Sequence, residues 1–430
     1  MSASTPLVAI EEMVQQRAMS LALEMDTPAG REGLRRLIDD AIDHWQREAA
    51  NRADLRVLAD PETIAHRAWC NLARYGPLTA LLDDPDVWEI EVNAPDAIFV
   101  KRHHGRSGYH QETFHDDEHV LRTISRLLDD SSGSHRRLDP TEGLQDARLD
   151  DGSRLHIVHA DIARGGHCMV NIRRFTGVPF TRLDELVAND TLSTAAARFL
   201  AAAVRAGASV VFAGAPGSGK TTLLSCCLGE LDPTLRVVTA EEVFEIDAPL
   251  ANVASMQTRP ARADRPAIDL RRLVRGFLRM APDVAVVGEV RDREALPLLL
   301  TLSSGVRGFT TIHAANARGA LSRLRFLAEL SEAATTLPHA ALTTLVAESI
   351  DLVVFSARSS HGPRVREILA VEDPSTSSGT GTFTVTDVFA ASAPGTLGWT
   401  GAIPQRLSVR CRDNGVDLAT VLRSDTGSRS

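Results

Sequence analysis

Gly214-Ala215-Pro216-Gly217-Ser218-Gly219-Lys220-Thr221 matches the spacing G-x-x-x-x-G-K-[ST] in full, with Thr222 directly after it. Glycines at three of these positions allow successive backbone amides to converge on phosphate oxygens without obstruction by side chains. Lys220 then reaches the β and γ phosphates, and the Thr221 hydroxyl is placed for Mg²⁺. Lys220 is one of only two lysines, with Lys101, among 47 basic residues. A lysine retained against so strong an arginine bias points to a specific task.

Phosphate binding becomes hydrolysis only when acids handle the metal and the water. Val284-Ala-Val-Val-Gly-Glu289 is an apolar run ending in Gly-Glu, which sets a carboxylate at a strand end. Gly288 occupies the position where many phosphate-loop proteins carry a metal-binding Asp, so Glu289 is expected to polarise the water or reach the metal through one. Leu235-Arg-Val-Val-Thr239 runs into Ala240-Glu241-Glu242-Val-Phe-Glu245. Three carboxylates after a strand repel one another unless a cation or arginines compensate; the plain reading is an acidic helix start. Gly308-Phe-Thr-Thr-Ile-His313 ends another apolar run in a histidine that could donate a hydrogen bond to a γ phosphate.

These residues need a scaffold that brings strand ends together. Between Leu183 and Phe355 strand patterns alternate with helical ones, the signature of a mainly parallel sheet covered on both faces. Ser209 to Ala213 enters the phosphate loop as a buried strand, and Thr222 to Leu228 leaves it as a helix. Upstream, Leu55 to Phe175 reads as a small mixed α/β domain. It has a helix near Pro61 to Tyr75, strands at Trp88 to Asn93 and Ala97 to Arg102, and a helix from about Asp116 to Leu128. The expected division is a helical extension over 1–54, broken at Pro28-Ala-Gly30; the small domain over 55–175, with a mobile loop at Ser131 to Ser134; and a linker over 176–182. The phosphate-loop domain follows over 183–355, then a partly disordered extension over 356–430 with strand patterns at Val365 to Val371 and Thr382 to Phe389.

At 430 residues the chain has room for two or three domains at roughly 150 residues each. Its 43% hydrophobic and 24% charged content excludes wholesale disorder. A net charge of -9 and 4% aromatics argue against a nucleic-acid-binding stripe, so no nucleic acid partner is expected. The amino terminus lacks the features of a signal peptide, and no uninterrupted apolar run has spanning length, so a cytoplasmic protein that meets the membrane through partners is expected. Five cysteines without a C-x-x-C pair read as reduced and mostly buried.

The ordered set of phosphate loop, acidic strand end, Gly-Glu strand end and strand-end histidine resembles the ATPase superfamily of bacterial type II and type IV secretion, pilus assembly and conjugation. Tyr75-Gly-Pro-Leu78, Ile90-Glu-Val-Asn93-Ala-Pro-Asp96, Asp146-Ala-Arg148-Leu, Asp151-Gly-Ser-Arg154, Ile172-Arg-Arg174-Phe, Gln257-Thr-Arg259-Pro and Leu278-Arg-Met-Ala-Pro-Asp283 look like its tight-adherence (Tad/CpaF) branch. The resemblance covers about residues 60 to 370. It implies a RecA-like ATPase domain behind the small α/β domain, ATP and Mg²⁺ as ligands, a homo-hexamer, and inner-membrane platform proteins of a pilus or secretion system as partners. It also casts Glu241 and Glu242 as the Asp-box acids, Glu289 as the Walker B acid and His313 as the His-box residue, and makes Arg148, Arg173 and Arg174 candidate arginine fingers. Two departures stand out: Ser304-Gly305-Val306 lacks the family's upstream histidine, and Glu242 replaces an Asp.

A P-loop kinase would need an arginine-bearing lid, which is not evident between Lys220 and His313. His103, His104, His110, His115 and His119 cluster in sequence, and the last two have the spacing of ligands on a helix. No cysteine or second spaced pair accompanies them, while Asp116-Asp-Glu118 reads as a helix-capping run.

Overall fold

The computed structural model describes residues 5–423 except 25–26, 104, 132–137, 175–179, 260, 262–264, 332–336, 360–361, 374–381 and 393–395. It divides into two compact units, Met1–Thr176 and Gly177–Ser430. The predicted linker falls partly, and the loop at Ser131 to Ser134 mostly, outside the described residues.

In the first unit, helices Pro6–Ser20, Pro28–Asn51 and Pro61–Ala73 share an apolar cluster that includes Ile10, Val14, Leu34, Ile38 and Ala68. The break predicted at Pro28-Ala-Gly30 lies just upstream instead. Pro28 sits in the first turn, where its missing N–H costs nothing, and Thr27 caps the helix by accepting the Gly30 N–H at 3.0 Å.

The rest of this unit is an antiparallel sheet: β1 (Val87–Ala94), β2 (Ala97–Arg102), β3 (Gly108–Tyr109), β4 (Leu144–Arg148), β5 (Arg154–Val158) and β6 (Met169–Arg173), in the order β3-β2-β1-β6-β5-β4. Alternation sends Ile90, Val92, Leu155, Ile157, Val170 and Ile172 into a core shared with Val120, Ile124 and Leu127 of the helix Asp117–Asp129. The positions between them form a charged row, with Arg148 opposite Arg154, Arg154 opposite Arg173, Arg173 opposite Glu89 and Glu89 opposite Lys101.

The second unit holds β7 (Val210–Ala213), β8 (Val237–Glu241), β9 (Val253–Gln257), β10 (Val284–Val287), β11 (Arg307–Ile312), β12 (Leu352–Ser359), β13 (Gly362–Val371), β14 (Val385–Ala391) and β15 (Leu397–Trp399). The order is β15-β14-β13-β12-β7-β11-β10-β8-β9, parallel from β12 through β9 and antiparallel beyond β12. Val210 and Phe212 of β7 enter one core and Val211 and Ala213 the other, so the sheet is buried on both faces. This is the RecA-like, mainly parallel P-loop architecture expected beside a small α/β domain.

Strand β12 runs across residue 355, where the sequence places a domain boundary, and β13 to β15 continue the same sheet. Of the predicted extension, residues 374–381, 393–395 and 424–430 lie among those outside the described residues. The helix Gln405–Asp413, which sequence patterning does not reveal, is fastened to the sheet by ion pairs. Asp351 accepts from Arg406 at 2.8 Å and from Arg410 at 2.6 Å. All five cysteines are buried and unpaired. No helix among the described residues is long and apolar enough to cross a membrane.

Candidate functional site

Strand β7 delivers the chain into the glycine loop, and the nine-residue helix Lys220–Leu228 receives it. Gly214, Gly217 and Gly219 have φ of +153°, +71° and +83°. A Cβ on Gly214 would stand 2.2 Å from the Ser356 carbonyl oxygen and 2.4 Å from Ser218 Oγ, so that turn admits no side chain. Lys220 is buried, and its Nζ donates to the Ala215 carbonyl at 2.9 Å. Ala215 and Pro216 are exposed at the loop tip, Ser218 is buried beneath it, and Thr221 and Thr222 follow in the first helical turn. Amides at a helix N-terminus with a charged amine beside them make an anion site.

Parallel register assembles the remaining groups. Ala213 of β7 pairs with Ile312 of β11, so His313 emerges beside Gly214, and its Nδ1 lies 3.2 Å from the Gly214 carbonyl oxygen. Ala240 of β8 pairs with Val287 of β10, which carries Glu242 and Glu289 out side by side. His313 Nε2 is 2.8 Å from Glu289 Oε1. Arg291 grips the same carboxylate with both arms, Nε at 2.7 Å and Nη2 at 2.8 Å, while its Nη1 donates to Glu242 Oε2 at 3.0 Å. One polar chain thus runs from the phosphate loop through His313, Glu289 and Arg291 to Glu242.

The electrostatics follow from these contacts. Burial works against a charge on Glu289, but hydrogen bonds from His313 and Arg291, with the arginine's charge, bring its carboxyl down to about 2. The Arg291 guanidinium is correspondingly raised, first by its hydrogen bonds to Glu289.

Glu241 behaves differently from its neighbour. It is the last residue of β8, is only 2% exposed, and turns inward. Its Oε2 accepts the backbone N–H groups of Glu245 at 2.8 Å and Ile246 at 2.9 Å. Burial pushes its carboxyl up to about 7 despite those backbone bonds. No helix follows β8, which corrects the acidic-helix-start reading; the amides such a helix would have presented are tied down by Glu241 itself. A Cβ on Gly288 would lie 3.0 Å from Glu241 Cγ, so Glu241 fills the space beside the position that lacks the usual Asp.

The small-unit arginines divide as well. Arg174 Nη1 donates to the carbonyls of Leu81 and Val87, each at 3.1 Å, and of Asp84, which ties that nitrogen to its own unit. Arg148 and Arg173 stand in the cross-strand row with Arg154 between them. Like charges placed directly opposite one another destabilise a sheet, and Glu89 opposite Arg173 offsets part of that within the row.

In the histidine cluster, His115 Nε2 meets Glu11 Oε2 at 2.9 Å, and burial lowers His119 to about 3. Asp116 caps the helix Asp117–Asp129. His104 is outside the described residues. Among the described residues no group of three or more His, Cys, Asp or Glu side chains is arranged to hold a metal ion.

Sequence reasoning assigned no role to Arg291. The signal was present: it lies two residues past Glu289, and on an extended segment such residues share a side.

Residues 71–358 match the protein family described as type II/IV secretion system protein. Conjugal transfer protein TrbB of Rhizobium radiobacter is 31% identical over 300 residues, 69% of this chain and 87% of that protein. Type IV secretion system protein PtlH of Bordetella pertussis is 32% identical across 67% of this chain and 90% of its own. The X-ray structure of the Yersinia pseudotuberculosis ATPase DotB aligns with a TM-score of 0.48 at 18% identity, over 68% of this chain and 78% of that one. With its family match spanning most of both units' cores, this chain belongs to the type II/IV secretion system protein family.

Proposed function

We propose that the chain is an ATP-hydrolysing motor that powers assembly of a pilus, or type II/IV-like secretion, across the cytoplasmic membrane. Its quoted sequence phrases favour the tight-adherence branch. The observation that carries the reading is the polar chain from Gly214 through His313, Glu289 and Arg291 to Glu242, which couples the phosphate loop to two acids at one sheet edge.

ATP phosphates sit on the loop amides, with Lys220 leaving the Ala215 carbonyl for the β and γ oxygens. A divalent cation supplies charge neutralisation when bound; Thr221 would hold it together with the phosphates. Glu289, held near 2, is ionised throughout the working range, so it orients and polarises water as an acceptor and stores no proton. His313 stands between that carboxylate and the loop, placed to report the γ phosphate. Glu242 and Arg291 set the position of Glu289, and Glu241 holds the loop behind them. Arg148 and Arg173 are kept as the candidate arginine fingers, with Arg174 anchoring the end of the strand that carries Arg173.

We further propose a homo-hexamer working at the cytoplasmic face through inner-membrane platform proteins. The test is phosphate release by the purified full chain with Mg-ATP, read against protein concentration and added DNA. Specific activity that rises as subunits associate, a species near six protomers in sedimentation, and indifference to DNA are expected. A strictly monomeric, fully active enzyme contradicts the ring, and activity that requires DNA contradicts the assignment.

A further inference from the structure

The phosphate loop is braced from outside by the β12–β13 hairpin. The Ser356 carbonyl fills the space a Cβ on Gly214 would need, and Ser356 Oγ lies 3.2 Å from Ser218 Oγ, both hydroxyls being buried. Arg358 Nη1 donates to the Gly217 carbonyl at 3.2 Å, and Pro363 Cβ stands 3.0 Å from where a Cβ on Gly219 would be. One hairpin therefore touches the loop at four residues, although none of its own groups belongs to the phosphate chemistry.

Arg358 has the most direct mechanical consequence. In a trans peptide the C=O and N–H point in opposite directions. Drawing the Gly217 carbonyl outward to the guanidinium turns the Ser218 N–H inward, where it donates to the Ala215 carbonyl at 3.3 Å. Lys220 Nζ donates to that same oxygen. Two donors of the loop thus already converge on a single internal acceptor, which an incoming phosphate oxygen can replace.

We propose that Arg358 is a positioning residue for nucleotide: it holds the Gly217–Ser218 peptide so that Ser218 N–H and Lys220 face the phosphate before nucleotide arrives. This rests on the reading of the loop as a nucleotide site. A loop that populates its competent form only part of the time binds more weakly in proportion. Loss of Arg358 is therefore paid in affinity far more than in the chemical step.

The experiment compares the full chain with Arg358→Ala, Arg358→Lys and Lys220→Ala, using a fluorescent ATP analogue for binding and steady-state hydrolysis for KM and kcat. Arg358→Ala is expected to weaken binding and raise KM by about tenfold while kcat falls less than threefold. Arg358→Lys, which keeps a donor, recovers part of the loss. Because Arg358 is exposed, the nucleotide-free melting temperature stays at the wild-type value while the rise on adding nucleotide shrinks. Unchanged affinity and KM in Arg358→Ala overturn the proposal, as does a loss matched by an equal fall in nucleotide-free melting temperature. Wild-type binding by Lys220→Ala would instead overturn the loop assignment beneath it.

Discussion

Glu241 and Glu242 are adjacent in sequence and opposite in fate. Glu242 is half-exposed and paired with Arg291; Glu241 is buried and accepts only backbone N–H groups of its own loop at Oε2. An acid whose folded pKa lies above its unfolded value binds more protons when folded, so stability falls as pH rises from about 4.5 to 7. Glu241→Gln removes that liability. Its unfolding free energy relative to wild type should climb between pH 5 and pH 8, the difference approaching about 3 kcal/mol at the upper end. A difference that stays flat across this range would show that the carboxyl titrates normally. The glycine-rich motif was readable in the sequence because it occupies eight consecutive positions. The Arg291 bridge was not, because only the register of β8 against β10 brings Glu242 to Glu289.

Elements with strong local signals were readable: β2 spans the predicted residues, and the strand and helix around the phosphate loop stand where patterning puts them. The helix Gln405–Asp413 was not readable, since what holds it is remote in sequence. Asp351, 3% exposed, also accepts the Ser209 N–H at 2.8 Å just before β7, so the helix Gln405–Asp413 is clasped to the strand that feeds the loop. Replacing Arg406 and Arg410 together by Ala leaves a buried carboxylate without its cations. That should cost about 3–5 kcal/mol in denaturant unfolding, with Asp351→Asn in the same background recovering much of it. A loss below about 1 kcal/mol would mean that the clasp is not what fastens the helix.

At the scale of the whole molecule, composition and alternating strand and helix patterns were enough to separate a small α/β domain from a P-loop domain. They could not place the end of the second sheet, because local patterns mark β13 and β14 as strands without showing that they add to its edge. The central claim is that one chain separates two tasks: the loop around Lys220 binds ATP, and the cluster at Glu289 turns it over. The most direct measurement sets ATP affinity beside phosphate release for wild type, Lys220→Ala and Glu289→Gln. Lys220→Ala should lose both; Glu289→Gln should bind like wild type while turnover falls by about 10²-fold or more. Hydrolysis at the wild-type rate by Lys220→Ala, or by Glu289→Gln, would contradict that division of labour.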